Sequence, residues 1–123
     1  APSGEAIIYK NGELAARNTN LILPSPSYRA LCMLGRSNSD QDGYFHGKMD
    51  EIRIWKDVRT PAEIKNNMVR TLKGNEDNLL LSYNANSTSG AVLNDITGNY
   101  NGTLNSFEDH NPWVPSFSSK PTE

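Results

Sequence analysis

Apolar residues in this chain come in short runs, most of them with a two-residue period. Residues 5–10 (EAIIYK) and 13–17 read as strands flanking Asn11-Gly12. Both turn residues accept positive φ, so the pair predicts a type I′ hairpin. Residues 21–23 form a short apolar run ended by Pro24 and Pro26, and residues 30–34 read as another strand closing at Gly35. Residues 45–55 predict the longest strand. Its two faces are Met49, Glu51, Arg53, Trp55 and Lys48, Asp50, Ile52, Ile54. Apolar side chains occur on both, as in a strand covered on both sides.

The period then changes. Thr60, Pro61 and Glu63 are an N-cap, a first-turn proline and the third-position acid of a capping box. Ile64 and Met68 lie four apart, on one face of the helix this predicts. Residues 73–78 read as a turn, 79–83 (LLLSY) as a strand, 84–90 as a loop, and Thr103-Leu104 as a short strand. The end of the chain is polar and proline-broken, with Trp113 and Val114 as its anchors.

The stretch 44–68, YFHGKMDEIRIWKDVRTPAEIKNNM, resembles the C-terminal signature of laminin-G-like domains of the concanavalin A-like lectin/glucanase superfamily. The matching positions are Phe45, Gly47, Met49, Asp50, Glu51, Ile52, Arg53, Ile54, Trp55, Arg59, Thr60, Glu63 and Ile64. The hairpin sequence IYKNGELAA is similar to the family's middle hairpin. Residues from Leu72 onward, with Tyr83, Asp95, Thr97, Gly98, Asn101, Gly102 and Trp113, resemble a tail of bacterial surface members. The resemblance implies an all-β, concanavalin A-like antiparallel β-sandwich (jelly roll) with one short helix. It divides the chain into the C-terminal part of a sandwich, residues 1–71, and a tail, residues 72–123, that completes or follows it. The strands expected before the hairpin are missing, so the expectation is an incomplete domain. Its remaining strands would have been cut away or would come from a second polypeptide.

Totals narrow the function. The 12 basic and 14 acidic residues give a net charge of −2, with no basic stripe for a nucleic acid. No apolar run approaches the ~20 residues of a membrane span. The opening APSGEA reads as no signal peptide, and a leader removed earlier stays open. The single cysteine, Cys32, reads as a small buried hydrophobe, and neither His46 nor His110 is placed to make it a nucleophile.

Four groups are candidates for chemistry. Asn38, Asp40 and Asp42 put oxygens at every second residue before Gly43, a pattern that suits Ca²⁺. This loop lies where related pentraxin-type sandwiches carry an acidic calcium loop, although the leading Glu and Gln of those loops are absent. A solvated turn is the plainer account. Asp95, Thr97, Asn99 and Asn101 form a second alternating run, for which a turn is again simpler. Asp50 and Glu51 are adjacent carboxylates, which strand alternation would send to opposite faces, so they cannot flank one glycosidic bond. An ion pair of Glu51 with Arg53 is the expected role. Among the aromatics, Trp55 reads as core, and Tyr44 and Tyr100 as the surface contacts of a ligand. Asn86-Ser87-Thr88 and Asn101-Gly102-Thr103 are glycosylation sequons, relevant to a eukaryotic secretory source.

The resemblance thus implies a non-catalytic module at the cell surface or outside the cell. It would recognise a carbohydrate or a protein surface, with calcium ordering a rim loop. The alternatives are one half of a split sandwich assembled with another chain, and an accessory lectin-like domain of a glycoside hydrolase.

Overall fold

An Asn-Gly pair makes the first element. Asn11 and Gly12 both have positive φ, 53° and 77°, and join β1 (Ala6–Lys10) to β2 (Glu13–Asn18) in antiparallel register. A bulge between Ile8 and Tyr9 interrupts the ladder. The structure is a computed structural model, and it describes residues 4–23, 25, 27, 28, 31–39, 41–107 and 111–115. Pro24, Pro26, Ala30, Asp40 and His110 lie outside the described residues.

The signature stretch contributes β3 (Ile52–Trp55) and α1 (Pro61–Asn67). The helix starts as its sequence dictates. The Thr60 hydroxyl accepts from the Glu63 N–H at 3.3 Å, and the Glu63 carboxylate accepts from the Thr60 N–H at 2.8 Å. The Thr60 N–H, then the Thr60 hydroxyl, which donates to the same carboxylate at 2.8 Å, hold the Glu63 carboxyl below its ordinary range against the opposing effect of burial, with help from the nearby Arg59. Arg53 ties the other end of the helix to the strand. Its guanidinium donates to the Asn67 and Arg70 carbonyls, both at 2.5 Å, and to Glu51 at 2.6 Å.

β3 pairs antiparallel with β4 (Leu79–Tyr83), and β5 (Val92–Leu93) with β6 (Gly102–Thr103). The described residues thus form three two-stranded antiparallel sheets and one short helix, a mostly β architecture. Gly74, at φ 90°, turns the chain between α1 and β4 directly against the Ile96 carbonyl, where a Cβ would not fit. Glu76 closes the same turn by accepting from the Lys73 and Gly74 N–H groups at 2.7 and 2.9 Å. The buried apolar side chains among the described residues are Leu72, Leu79 and Tyr83, all after α1.

Two strand expectations need correction. Residues 45–50 are not strand, because Glu51 takes a positive φ of 50° and breaks the extended run before Ile52. The Asp50 side chain accepts from the Glu51 N–H at 2.8 Å, and the Phe45 ring lies over Gly47, so this segment bonds locally. Residues 31–34 are also not strand. In both places no described strand offers a partner ladder, and extended backbone without one has no reason to persist. The covered-on-both-sides reading likewise fails at Ile54, which is exposed, and Cys32 is exposed rather than buried.

Candidate functional site

The loop of residues 36–43 is drawn closed at its base. The Phe45 N–H donates to the Gly35 carbonyl at 2.8 Å, and Gly35 has the positive φ, 76°, that such a closure uses. Inside the loop, the Ser37 hydroxyl donates to the Asp42 carboxylate at 2.5 Å, and the Asp42 N–H donates to the Ser39 carbonyl at 3.2 Å. Tyr44 leaves the loop 59 % exposed, with the Arg36 guanidinium 5.5 Å from its ring centroid. That is a cation–π distance. The loop therefore presents an aromatic ring beside a cation, on a base fixed by backbone bonds. Arg36 went unnoticed in the sequence because nothing local says that a residue eight positions earlier returns to the ring.

Of the three residues expected to hold a metal, Asn38 and Asp42 are exposed loop positions, and Asp40 lies outside the described residues. No group of three or more His, Cys, Asp or Glu side chains comes together among the described residues.

Tyr100 stands elsewhere, on the turn built around Asp95. Asp95 is 5 % exposed. One carboxylate oxygen accepts from the Ser82 and Thr97 N–H groups at 2.9 and 3.0 Å. The other accepts from the Thr97 hydroxyl at 2.6 Å and the Tyr100 N–H at 3.0 Å. Burial pushes its pKa up, but these bonds outweigh burial and pull it down to about 2. Asn101 completes the turn by accepting from the Asp95 N–H at 2.9 Å. The side-chain oxygens of Asp95 and Asn101 thus bond the protein's own backbone, and the Asn99 amide donates to the Thr97 hydroxyl at 3.1 Å. The Tyr83 hydroxyl, raised in pKa by burial and then by the Asp95 charge, donates to the Tyr100 carbonyl at 2.6 Å. The Tyr100 ring itself is exposed.

A third feature is an open cleft of about 620 Å³ between β1, β3 and α1, lined by Ile7, Tyr9, Trp55, Arg59, Ile64 and Met68 among others. Trp55 is half-buried, with the Arg59 guanidinium 4.2 Å from its ring centroid. Arg59 is also paired to Asp57 at 3.3 Å and Glu63 at 2.9 Å. Glu51 and Arg53 form the expected ion pair at 2.6 Å. The cleft's cations are therefore engaged inside the chain, and its free surface is mainly apolar.

Comparison with known proteins follows the same lines. A family model, the concanavalin A-like lectin/glucanases superfamily, matches residues 2–65. A crystal structure of a candidate carbohydrate binding protein from Bacteroides ovatus ATCC 8483 is similar at 29 % identity with a TM-score of 0.59. The similarity covers 84 % of this chain and 33 % of that one, so the chain spans about a third of that protein's length. No curated protein matches the chain.

Proposed function

We propose that this chain, which belongs to the concanavalin A-like lectin/glucanases superfamily, acts as a carbohydrate-binding module without catalytic activity of its own. The observation that carries this reading is the 29 % identity to a candidate carbohydrate binding protein over most of the chain. The loop at residues 36–43 with Tyr44 is the contact surface best suited to it. A sugar ring stacks its apolar face on an aromatic side chain while its hydroxyls find polar groups nearby. Tyr44 supplies the ring, and the Arg36 guanidinium beside it supplies donors. Tyr100 offers a second exposed ring on the Asp95 turn. Binding rather than hydrolysis fits the acids as well. Asp50 accepts from the Glu51 N–H and Glu51 pairs with Arg53, so both acids have structural partners.

Calcium belongs to this reading as an ion that orders the 36–43 loop through Asn38, Asp40 and Asp42. Ca²⁺ takes about six to eight oxygens. The described donors, one amide and one carboxylate already bonded to Ser37, fall short of that set alone. The site therefore depends on Asp40 and on oxygens from water or sugar. A module of this kind works outside the cell or on its surface.

The test is a glycan panel followed by calorimetric titration of the best hit. The wild-type chain should bind, Tyr44→Ala should weaken binding about five- to tenfold, and Tyr100→Ala should weaken it less, in line with stacking worth about 1–1.5 kcal/mol. No retention on any glycan, or full binding by Tyr44→Ala, defeats the reading at the module or at the site respectively. Chelation with EDTA should lower the affinity if calcium orders the loop, and re-addition of Ca²⁺ should restore it.

A further inference from the structure

We propose that one water molecule is bound inside the fold between Arg53 and Ser82, where it bridges β3 and β4 beside the C-terminal end of α1. Two buried polar atoms carry the inference. Neither the Arg53 Nε nor the Ser82 hydroxyl meets a hydrogen-bond partner among the described residues, and both atoms are sealed from solvent. Ser82 is fully buried, and the Arg53 side chain is 10 % exposed. This chain's own residues complete the seal, so the need for a partner does not depend on what else packs against the chain.

The two residues are also neighbours. Arg53 and Ser82 are register partners in the β3–β4 ladder, so their side chains share one face of that sheet. The Ser82 N–H donates to Asp95 at 2.9 Å, and the Ser82 carbonyl accepts from the Ile96 N–H at 3.0 Å. Both backbone groups therefore point away from β3. This makes Arg53 and Ser82 a non-hydrogen-bonded pair, the kind whose Cα atoms lie about 4.5 Å apart and whose side chains approach more closely. The rest of the guanidinium is fixed. Its Nη1 donates to the Asn67 carbonyl, and its Nη2 to the Arg70 carbonyl and to Glu51. Nε is held on the same face as the serine with its one N–H unspent.

Chemistry selects the ligand. A guanidinium repels a cation, and Glu51 already meets its charge, so an anion finds no unpaired charge here. The site asks for a small neutral molecule that both accepts and donates, which is water. It accepts from the Arg53 Nε–H and donates to the Ser82 oxygen. Its second hydrogen has the Arg70 carbonyl, which keeps a lone pair after bonding Nη2. About three such bonds are usual for a buried water. A buried polar atom without a partner costs stability, and the bridge removes two such costs at once.

The experiment is a crystal structure of the chain at a resolution that orders internal waters, together with urea unfolding of Ser82→Ala. One water within about 2.7–3.2 Å of both Arg53 Nε and Ser82 Oγ is expected. In the variant the bridge loses a partner, so the urea midpoint should fall. A hydroxyl with no bond would give the opposite sign, because alanine removes the buried group. A direct bond between Nε and Oγ, a site without water, or an unchanged or raised midpoint overturns the proposal. The crystallographic arm needs no variant, so it decides even if Ser82→Ala does not fold.

Discussion

Asp95 shows how much a single side chain can hold where few of the described apolar side chains are buried. Its carboxylate gathers backbone N–H groups from β4 and from the 95–101 turn, so it fastens that turn to the β3–β4 sheet. Its pKa of about 2 lies below the unfolded value of about 3.9, so the folded state favours the charged form. The stability this contributes, about 2 kcal/mol, is complete above about pH 5 and is lost as pH falls toward 2. Urea unfolding at pH 7, 4 and 2.5 should show that decline. In Asp95→Asn the decline should be much smaller. The same variant should be about 2 kcal/mol less stable than wild type at pH 7, because an amide offers one acceptor where the carboxylate offers two. The sequence shows Asp95 only as one of several turn residues. Its partner Ser82 lies thirteen positions earlier, and no local pattern announces that bond.

Among the elements, those with local causes were legible and those with distant causes were not. The Asn11-Gly12 turn and the Thr60–Glu63 capping box depend on residues within a turn of each other, and both form as their sequences predict. Removing the cap should therefore have a local cost. Thr60→Ala should destabilise the chain by about 1 kcal/mol, read as a shift in the urea midpoint with an unchanged slope. Strand 79–83 also forms where it was expected, because LLLSY has a described neighbour in β3. Residues 45–50 and 31–34 have the composition of strands but no described ladder beside them. Strand propensity measures fit to a pleated, half-buried surface, and no described strand offers that surface beside them. Tyr44 was legible as an exposed aromatic. Its pairing with Arg36 comes from loop closure at Gly35–Phe45, which is a property of the folded loop.

At the scale of the molecule, the buried apolar residues among the described ones, Leu72, Leu79 and Tyr83, lie after α1. The β3–β4 pairing spans the junction between the signature stretch and the tail, so both parts should unfold together, in a single transition followed by circular dichroism.

The sequence by itself determined the hairpin turn, the helix with its cap, the signature strand near Trp55, and the membership in a concanavalin-like superfamily. All of these rest on short-range backbone preferences or on a pattern dense enough to recognise. Only the tertiary structure decided that Glu51 ends the extended run, that Asp95 is a backbone clasp, that Arg53 ties α1 to β3, and that Arg36 lies over Tyr44. In each case the outcome depends on which distant hydrogen-bond partner or ring the fold brings within reach, and that information is not local.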